Sequence, residues 1–277
     1  MMRVHKLRRR PQHFLRFSGL SVEQFDRLLR QLQPLLPDFH QQRLERPNRQ
    51  RGVGGGAKWR LSAADQLLLS LCWARLYLTN ELLGYLFGLD ASNISRNRRL
   101  LWPLLTEHLP VPVQPRRELA GRAPSEPPQR RKKKRHTSKT QLTTLSNGMI
   151  LQVSRSVAGS VHDYKLFHRS GVDRLLPSEY GLRVDKGYQG IRRGYGHRSV
   201  QIPKRASKLH PLTAAQKREN RRLASERVAV EHTLGRIKKY AVIGQTYRHR
   251  LTEYDLVMRV VCGLVNLRTQ DRLTATA

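Results

Sequence analysis

Residues 182–190 read Leu-Arg-Val-Asp-Lys-Gly-Tyr-Gln-Gly, and this stretch is the strongest indication of an α/β fold in the chain. Leu182–Asp185 is predicted to be a short strand, and α/β proteins form their sites at the carboxyl ends of strands. Gly187 and Gly190 let backbone or substrate approach the acid closely. The structural alternative is that Asp185 is an ordinary turn residue before glycine.

A second acid lies on a predicted helix, Thr213–Tyr240. Glu231 belongs to the segment 226–239, which reads Glu-Arg-Val-Ala-Val-Glu-His-Thr-Leu-Gly-Arg-Ile-Lys-Lys. At about 100° per residue, Arg227 and Lys238 lie within about 40° of a common face with Glu231. Cations flanking an acid suit a site that holds a metal and a phosphate. An i, i+4 ion pair between Arg227 and Glu231 is the structural alternative.

The charge balance points to a polyanionic partner. Of 277 residues, 53 are Lys or Arg and 20 are Asp or Glu, which gives a formal net charge of +33 at pH 7. Such a charge favours contact with nucleic acid and carries no information about fold. Acidic residues within such a basic chain most commonly bind a divalent metal that takes part in cutting or joining phosphodiesters. The placement of the two acids disfavours a ribosomal or other RNA-binding structural role.

Cysteine usage and hydropathy predict the compartment. Cys72 and Cys262 lie far apart inside apolar segments, and no CxxC pair suggests zinc, so we expect buried thiols in a reducing compartment. No stretch approaches the roughly 18 apolar residues needed to span a bilayer. The sequence therefore predicts a soluble, intracellular protein with no membrane partner.

Composition divides the chain into three regions. Residues 1–108 predict an all-α domain. Residues 109–139 are rich in proline and basic residues and predict a linker, because dense prolines exclude helix and central strand. Residues 140–277 alternate strand-like and helix-like stretches, which indicates an α/β domain. Within it, Asn147-Gly148 between two apolar runs predicts a β-hairpin.

The N-terminal domain contains two predicted helices joined by a tight turn, Thr79–Gly88 and Ala91–Leu105. This arrangement resembles a helix-turn-helix. The second helix carries polar and basic side chains that can contact base edges or phosphates, namely Ser92, Asn93, Ser95, Arg96, Arg98 and Arg99. The alternative is a helical hairpin whose basic surface is only solvated.

Taken together, these features resemble the bacterial insertion-sequence transposases of the DDE superfamily endonuclease group, kin to the Harbinger-type transposases. The resemblance covers nearly the whole chain and rests on several motifs. They are the helix-turn-helix with Tyr85-Leu-Phe-Gly and Ser92-Asn-Ile-Ser-Arg, Lys132-Lys-Lys-Arg-His-Thr, Gly159-Ser-Val-His-Asp, Asp185-Lys-Gly-Tyr-Gln-Gly, Glu226-Arg-Val-Ala-Val-Glu-His and Cys262-Gly-Leu-Val-Asn-Leu-Arg.

The resemblance implies a ribonuclease-H-like catalytic domain, two divalent metals (Mg²⁺ or Mn²⁺) held by three carboxylates, and cut-and-paste chemistry on element ends. Asp185 and Glu231 correspond to the second and third acids, and are therefore expected to be catalytic residues and metal ligands. Arg227 and Lys238 match the family's Arg–Glu–Lys signature and are expected to hold DNA phosphates. Ala224 stands where that signature has a tyrosine.

The family's first acid is not identifiable in this sequence. It is expected in an Asp-Gly-Thr motif shortly before the basic run at Lys132, yet the chain contains no Asp-Gly pair. Glu118 and Glu126 are the acids in that region, both in proline-rich or basic surroundings. We therefore expect an incomplete catalytic domain, with the hairpin poorly joined to the strand of Asp185, and no cleavage activity in this copy.

Asp163 has two interpretations. With His162 it begins a predicted helix, His162–Ser170, where an acid complements the helix dipole. A His-Asp pair is also a potential metal site, although the family does not count this pair among its three acids.

The expected partner is double-stranded DNA, both element ends and target, and a homo-oligomer on DNA is compatible with that role. The resemblance implies a bacterial, cytoplasmic, nucleoid-associated protein. The rival function is a non-catalytic DNA-binding protein that uses the same helix-turn-helix without chemistry.

Overall fold

The computed structural model describes residues 1–44, 60–109, 137–172, 179–188, 190–195, 199–207 and 209–276. The chain splits into two compact units. The helical unit consists of Met1–Val111 and Gly235–Ala277, and the mixed unit of Pro112–Leu234. The C-terminal helices are thus grouped with the N-terminal ones, whereas the sequence predicts one domain over 140–277. The predicted functional boundaries at 108, 109–139 and 140 remain a prediction, since packing units and functional domains need not coincide.

The N-terminal part of the helical unit is built from helices alone in its described residues. They are α1 (Val4–Leu7), α2 (Pro11–Ser18), α3 (Val22–Leu32), α4 (Leu36–Leu44), α5 (Ala63–Leu76), α6 (Asn80–Phe87) and α7 (Ala91–His108), with a 3₁₀ turn at Gln33–Leu35.

The mixed unit combines short strands with helices. In chain order these are β1 (Ser138–Lys139), β2 (Leu142–Thr144), β3 (Ile150–Val153), β4 (Val157–Ala158), α8 (Asp163–Ser170), β5 (Leu182–Arg183), a 3₁₀ turn (Lys186–Tyr188), α9 (Ile191–Gly194), β6 (Val200–Gln201), α10 (Ala214–Glu226) and α11 (Val228–Lys238). The unit boundary falls within α11. The chain ends with α12 (Ala241–Gly244), a 3₁₀ turn (Leu251–Glu253) and α13 (Tyr254–Thr276).

Helix α5 forms the centre of the helical unit. Every residue from Asp65 to Ala74 is buried, as expected for a helix that is apolar on all sides. The Ser62 side chain caps its N-terminus by accepting a hydrogen bond from the Asp65 backbone N–H, 3.1 Å. Helices α2, α7 and α12 pack against α5, and α13 packs against α7. Cys72 and Cys262 are both buried, as predicted.

The predicted helix-turn-helix is present as α6 and α7. Gly88 ends α6 in a left-handed conformation, with φ of 71°. Gly84 faces the Leu89 carbonyl so closely that a Cβ would overlap it. These two glycines allow α7 to leave the turn close against α6. Within the described residues, no helix has the length and the apolar character needed to cross a membrane.

The mixed unit contains three two-stranded pairs in its described residues. β2 and β3 form the predicted antiparallel hairpin, and Gly148 in its turn has φ of 86°. β1 pairs antiparallel with β4, and β5 pairs in parallel with β6. The described strands of the hairpin share no ladder with β5, which carries the chain toward Asp185. Strands and helices alternate as expected, but a ribonuclease-H-like sheet stays a prediction.

The predicted helix Thr213–Tyr240 is instead two helices, and this correction affects the site. α10 ends and α11 begins at Arg227, whose backbone has φ of −84° and ψ of −8°. The Arg227 N–H donates to the carbonyls of Ala224 and Ser225, a tightened last turn that ends α10. Arg227 therefore occupies a helix junction rather than a helix interior.

Candidate active site and DNA-reading helix

Asp185 lies just beyond the end of β5. The N–H of the preceding residue, Val184, donates to the Gln201 carbonyl at 3.0 Å, which continues the parallel pairing to the edge of the acid. The Asp185 side chain is 58% exposed, and its Oδ1 accepts a hydrogen bond from the Lys186 N–H at 2.6 Å. Asp185 thus immediately precedes the 3₁₀ turn, which agrees with the turn residue considered as the structural alternative from the sequence. Its carboxylate is nevertheless exposed to solvent.

Arg227 bridges the two predicted acids. Its Nη1 donates to Asp185 Oδ1 at 3.2 Å, and its Nη2 lies 4.0 Å from Glu231 Oε1. The Arg227 side chain is 25% exposed, whereas that of Glu231 is 64% exposed. The i, i+4 ion pair considered from the sequence is therefore present, and the same guanidinium also reaches the acid on the neighbouring strand.

Glu226, the residue before Arg227, also contacts β5, through Arg183. Glu226 Oε2 lies 2.9 Å from Arg183 Nη2, and its Oε1 lies 2.6 Å from Arg222 Nη1. Two consecutive residues at the α10–α11 junction thus pair with Arg183 and Asp185, two residues apart on β5 and its extension. Sequence reasoning missed the Arg183–Glu226 pair, because its partners lie 43 positions apart (226 − 183) without a local pattern.

Asp163 lies against the turn that follows Asp185. It is the first residue of α8, and the His162 side chain supplies the helix cap. Lys139 Nζ donates to Asp163 Oδ1 at 2.8 Å. A Cβ on Gly187 would lie closer than 3.0 Å to Asp163 Oδ2, so only glycine fits beside this carboxylate without a shift. Burial, with the negative charges of Asp163 and Asp185, raises the pKa of Tyr188 to about 12.

The described residues do not form a two-metal site as they stand. Asp185 and Glu231 are carboxylates of the type that Mg²⁺ or Mn²⁺ binds, but the guanidinium of Arg227 lies between them. Over the ranges that the structure describes, no three His, Cys, Asp or Glu side chains come together in a metal-binding group. Glu118 and Glu126 lie outside those ranges. Asp163 is engaged by Lys139.

The predicted DNA-reading residues lie on the first turns of α7. Ser92 and Arg96 are exposed, while Asn93 and Ser95 are half-buried. Arg96 Nη1 donates to Asn93 Oδ1 at 3.0 Å, so these two side chains form one polar pair. Lys238 is the last residue of α11 and is exposed. Whether any of these side chains contacts DNA stays a prediction.

Arg98 was wrongly grouped with the DNA-facing side chains. It is 4% exposed, and its guanidinium lies over the Trp73 ring, 4.1 Å from the centroid. Its Nη1 lies 3.1 Å from His249 Nε2. Arg98 is therefore a packing residue that joins α7 to the segment before α13. A spacing of two residues from the exposed Arg96 places it on a different side of the helix.

Comparisons with known proteins give the class of this chain, which is a DDE superfamily endonuclease with a helix-turn-helix. Residues 129–266 match the family described as DDE superfamily endonuclease, and residues 59–110 match the helix-turn-helix of DDE superfamily endonuclease. The chain belongs to the insertion-sequence transposases of this superfamily.

Among curated proteins, the chain is similar to the probable transposase for insertion sequence element IS702 of Microchaete diplosiphon. The two are 29% identical over 233 residues, which cover 76% of this chain and 82% of that protein. No solved structure matches the chain significantly.

Proposed function

We propose that this chain is a DNA transposase that binds insertion-element ends through α7, and that this copy does not cleave them. Its family carries out metal-dependent cleavage and strand transfer, with Asp185 and Glu231 at the positions of the second and third acids. The observation that carries the proposal is the bridging of these two acids by Arg227, in a chain whose sequence offers no Asp-Gly-Thr motif for the first acid.

The residues of the mixed unit still have defined roles in this proposal. Arg227 offsets one of the two negative charges of Asp185 and Glu231 and so weakens the repulsion that a DNA phosphate would meet at this site. Lys238, which belongs to the helical unit, is proposed as a further cation for phosphate contact. DDE superfamily endonucleases generally use a divalent metal, which would bring the Lewis-acid chemistry of phosphodiester cleavage, with Mg²⁺ or Mn²⁺ as the candidates. The described residues alone do not provide its full set of ligands.

The cleavage test uses labelled duplexes that carry the terminal inverted repeats found beside the gene. The protein is incubated with them and Mg²⁺ or Mn²⁺, with Asp185→Ala as the control. We expect binding without cleavage for both proteins. Metal-dependent cleavage that Asp185→Ala abolishes would show that this copy is active and that the first acid has been overlooked, with Asp163 as the next residue to replace.

The DNA-reading test replaces Ser92, Asn93 and Arg96 together with alanine. Contacts to base edges carry specificity, whereas contacts to phosphates position the protein. We therefore expect the variant to lose its preference for element ends while keeping most of its affinity for random duplexes. Equal losses on both duplexes would mean that α7 contacts only the backbone, which would favour a merely basic helical hairpin.

Preference for the ends of its own element separates this proposal from the non-catalytic alternative, whereas removal of divalent metal tests only whether the binding cations belong to the protein. Duplex binding at constant ionic strength should be unchanged by EDTA, because the binding cations belong to the protein. A non-catalytic DNA-binding protein predicts the same binding but no preference for the ends of its own element. In the cell we propose that the protein acts in the bacterial cytoplasm on nucleoid DNA, where a homo-oligomer would hold two ends together.

A further inference from the structure

Helix α10 of the mixed unit carries two kinds of cation. Arg222 is fully paired, since its guanidinium lies 2.7 Å from Glu219 and 2.6 Å from Glu226. Lys217, Arg218 and Arg221 are exposed and form no ion pair within the part of the chain that the structure describes. One helix thus holds both a neutralised arginine and a group of uncompensated cations.

The uncompensated cations point away from the body of the unit. Leu223 is the one buried residue of α10. At about 100° per residue, the direction opposite Leu223 falls between Arg221 and Arg218, with Lys217 about 40° from Arg221. On the other side of the helix, Asn220 Nδ2 donates to the Lys204 carbonyl at 2.9 Å, and Lys204 N–H donates to Asn220 Oδ1 at 2.9 Å. The cationic face is therefore held outward by contacts on the opposite face.

Like charges spaced three and four residues apart on a helix are destabilising. Lys217 and Arg221 have this spacing, as do Arg218 and Arg221. The helix therefore carries a repulsion in the free protein that a bound polyanion would relieve. Lys217 and Arg221 are separated by a rise of about 6 Å along the axis, which spans about two phosphates of one DNA strand at about 3.4 Å each.

The cationic face also leads to the acid pair. α10 ends at Glu226, and the next residue is Arg227, which contacts Asp185. A nucleic acid strand that follows this helix toward its C-terminus approaches the two carboxylates of the candidate site. We propose that Lys217, Arg218 and Arg221 form a sequence-independent binding surface for the phosphates of duplex DNA, separate from the reading helix α7. This proposal rests on the proposed function, because it takes DNA as the polyanion.

The experiment measures the salt dependence of binding of the full chain to a random-sequence duplex. Each phosphate contact that is lost lowers the slope of log affinity against log salt by about 0.9. Arg218→Gln and Arg221→Gln should each reduce the slope by about 0.9, and the triple variant with Lys217→Gln by about 2.7, the sum of three contacts. Arg222→Gln is the matched control, because it removes the same charge from the same helix at a guanidinium that is already engaged by Glu219 and Glu226 and so is not expected to contact a phosphate.

The outcomes separate the inference from the function on which it rests. Slopes that fall in the three variants, with Arg222→Gln close to wild type and all proteins folded by circular dichroism, support the surface. Identical slopes in the variants and in the control would overturn it and leave a solvated helix face. A selective loss on duplex RNA but not on duplex DNA would also overturn it. Wild-type protein with no salt-dependent duplex binding would instead refute the proposed function itself.

Discussion

The helical unit and the mixed unit hold their functional side chains by different forces. In the helical unit, α7 packs on the buried helix α5 through Trp73, Trp102 and neighbouring leucines. In the mixed unit, Asp185 and Glu231 are exposed, and Arg227 holds them through ion pairs. Burial of a large apolar side chain stabilises by several times more than an exposed ion pair. Helix α7 is thus fixed firmly, and the acid pair only loosely.

The contrast indicates which part of the chain should keep its structure when a functional residue is replaced. A unit that rests on apolar packing keeps its shape when a catalytic residue is lost, since the core does not depend on that residue. A site that rests on paired charges reorganises once a charge is missing or added, since the remaining partners re-pair. Asp185, Arg227 and Glu231 form a site of this second kind, because ion pairs join them.

The largest effect is expected from Trp73→Ala in the helical unit. Trp73 is 1% exposed and lies edge-on to Trp102 with ring centroids 5.4 Å apart, while the Arg98 guanidinium covers its face. Truncation of a buried tryptophan costs about 3–5 kcal/mol. Thermal unfolding of the variant should begin at a clearly lower temperature, with loss of duplex binding at that same temperature. Unchanged unfolding would show that packing does not hold α7.

A smaller effect is expected from Gly187→Ala in the mixed unit. The added Cβ would overlap Asp163 Oδ2, so Asp163 must move from its 2.8 Å contact with Lys139. Because the overlap falls on the end of a partly exposed side chain and not in a packed core, we expect a cost of about 1 kcal/mol, the lower end of the overpacking range. Unfolding followed by circular dichroism measures the loss.

Two companions test the cause of the Gly187→Ala effect. In the Asp163→Ala background the overlapping carboxylate is absent, so Gly187→Ala should cost much less. Gly235→Ala is the matched control, because nothing lies within 4 Å of its added Cβ. In a helix that substitution should be neutral or stabilising by up to about 1 kcal/mol. If Gly187→Ala lowers the stability equally in the Asp163→Ala background, the strain lies in the backbone of the turn and not in the contact with Asp163.

Local sequence signals predicted the elements whose stability is local. Asn147-Gly148 between two apolar runs predicted the hairpin, because turn chemistry lies within a few residues. Family motifs added Asp185 and Glu231 as candidate acids. Their mutual bridging by Arg227 was not predicted, because a one-dimensional pattern does not say which strand a helix junction meets.

Contacts between residues that are distant in sequence explain why other predictions differ from the structure. Arg98 was predicted to contact DNA because arginine binds phosphates and base edges. In the structure it is buried against Trp73 and His249, which belong to two segments distant in sequence. The break at Arg227 was missed since no proline or glycine marks it. Glu118 and Glu126, the acids in the region where the first acid is expected, lie outside the described residues, and the incomplete catalytic domain stays a prediction.

The third prediction compares one paired carboxylate from each unit. Glu226→Gln removes the partner of Arg183 and Arg222, and Asp26→Asn removes the partner of Arg8 in the helical unit. Exposed pairs contribute about 0.2–1 kcal/mol. We expect the loss of stability in Glu226→Gln to lie at the upper end of this range, because Glu226 joins the α10–α11 junction to β5. Asp26→Asn should be nearly silent in thermal unfolding, because apolar packing already joins α2 to α3. Equal losses would contradict the contrast between the units.

The smallest effect concerns pH and His249 in the helical unit. Burial, followed by the positive charge of Arg98, lowers the pKa of His249, which Arg248 and Arg99 lower further and Glu253 partly raises. A histidine with a depressed folded pKa binds its proton more readily in the unfolded chain, so stability falls as pH drops below the unfolded pKa of about 6.5.

His249→Gln tests this dependence, because glutamine keeps an acceptor for Arg98 and never gains a proton. Wild type should unfold at a lower temperature at pH 5.5 than at pH 7.5, and the variant should show a smaller difference between the two. The comparison of variant with wild type cancels the contribution of the other histidines. An identical pH dependence in both proteins would mean that the charge on His249 is screened, and that apolar packing alone holds the C-terminal segment against α7.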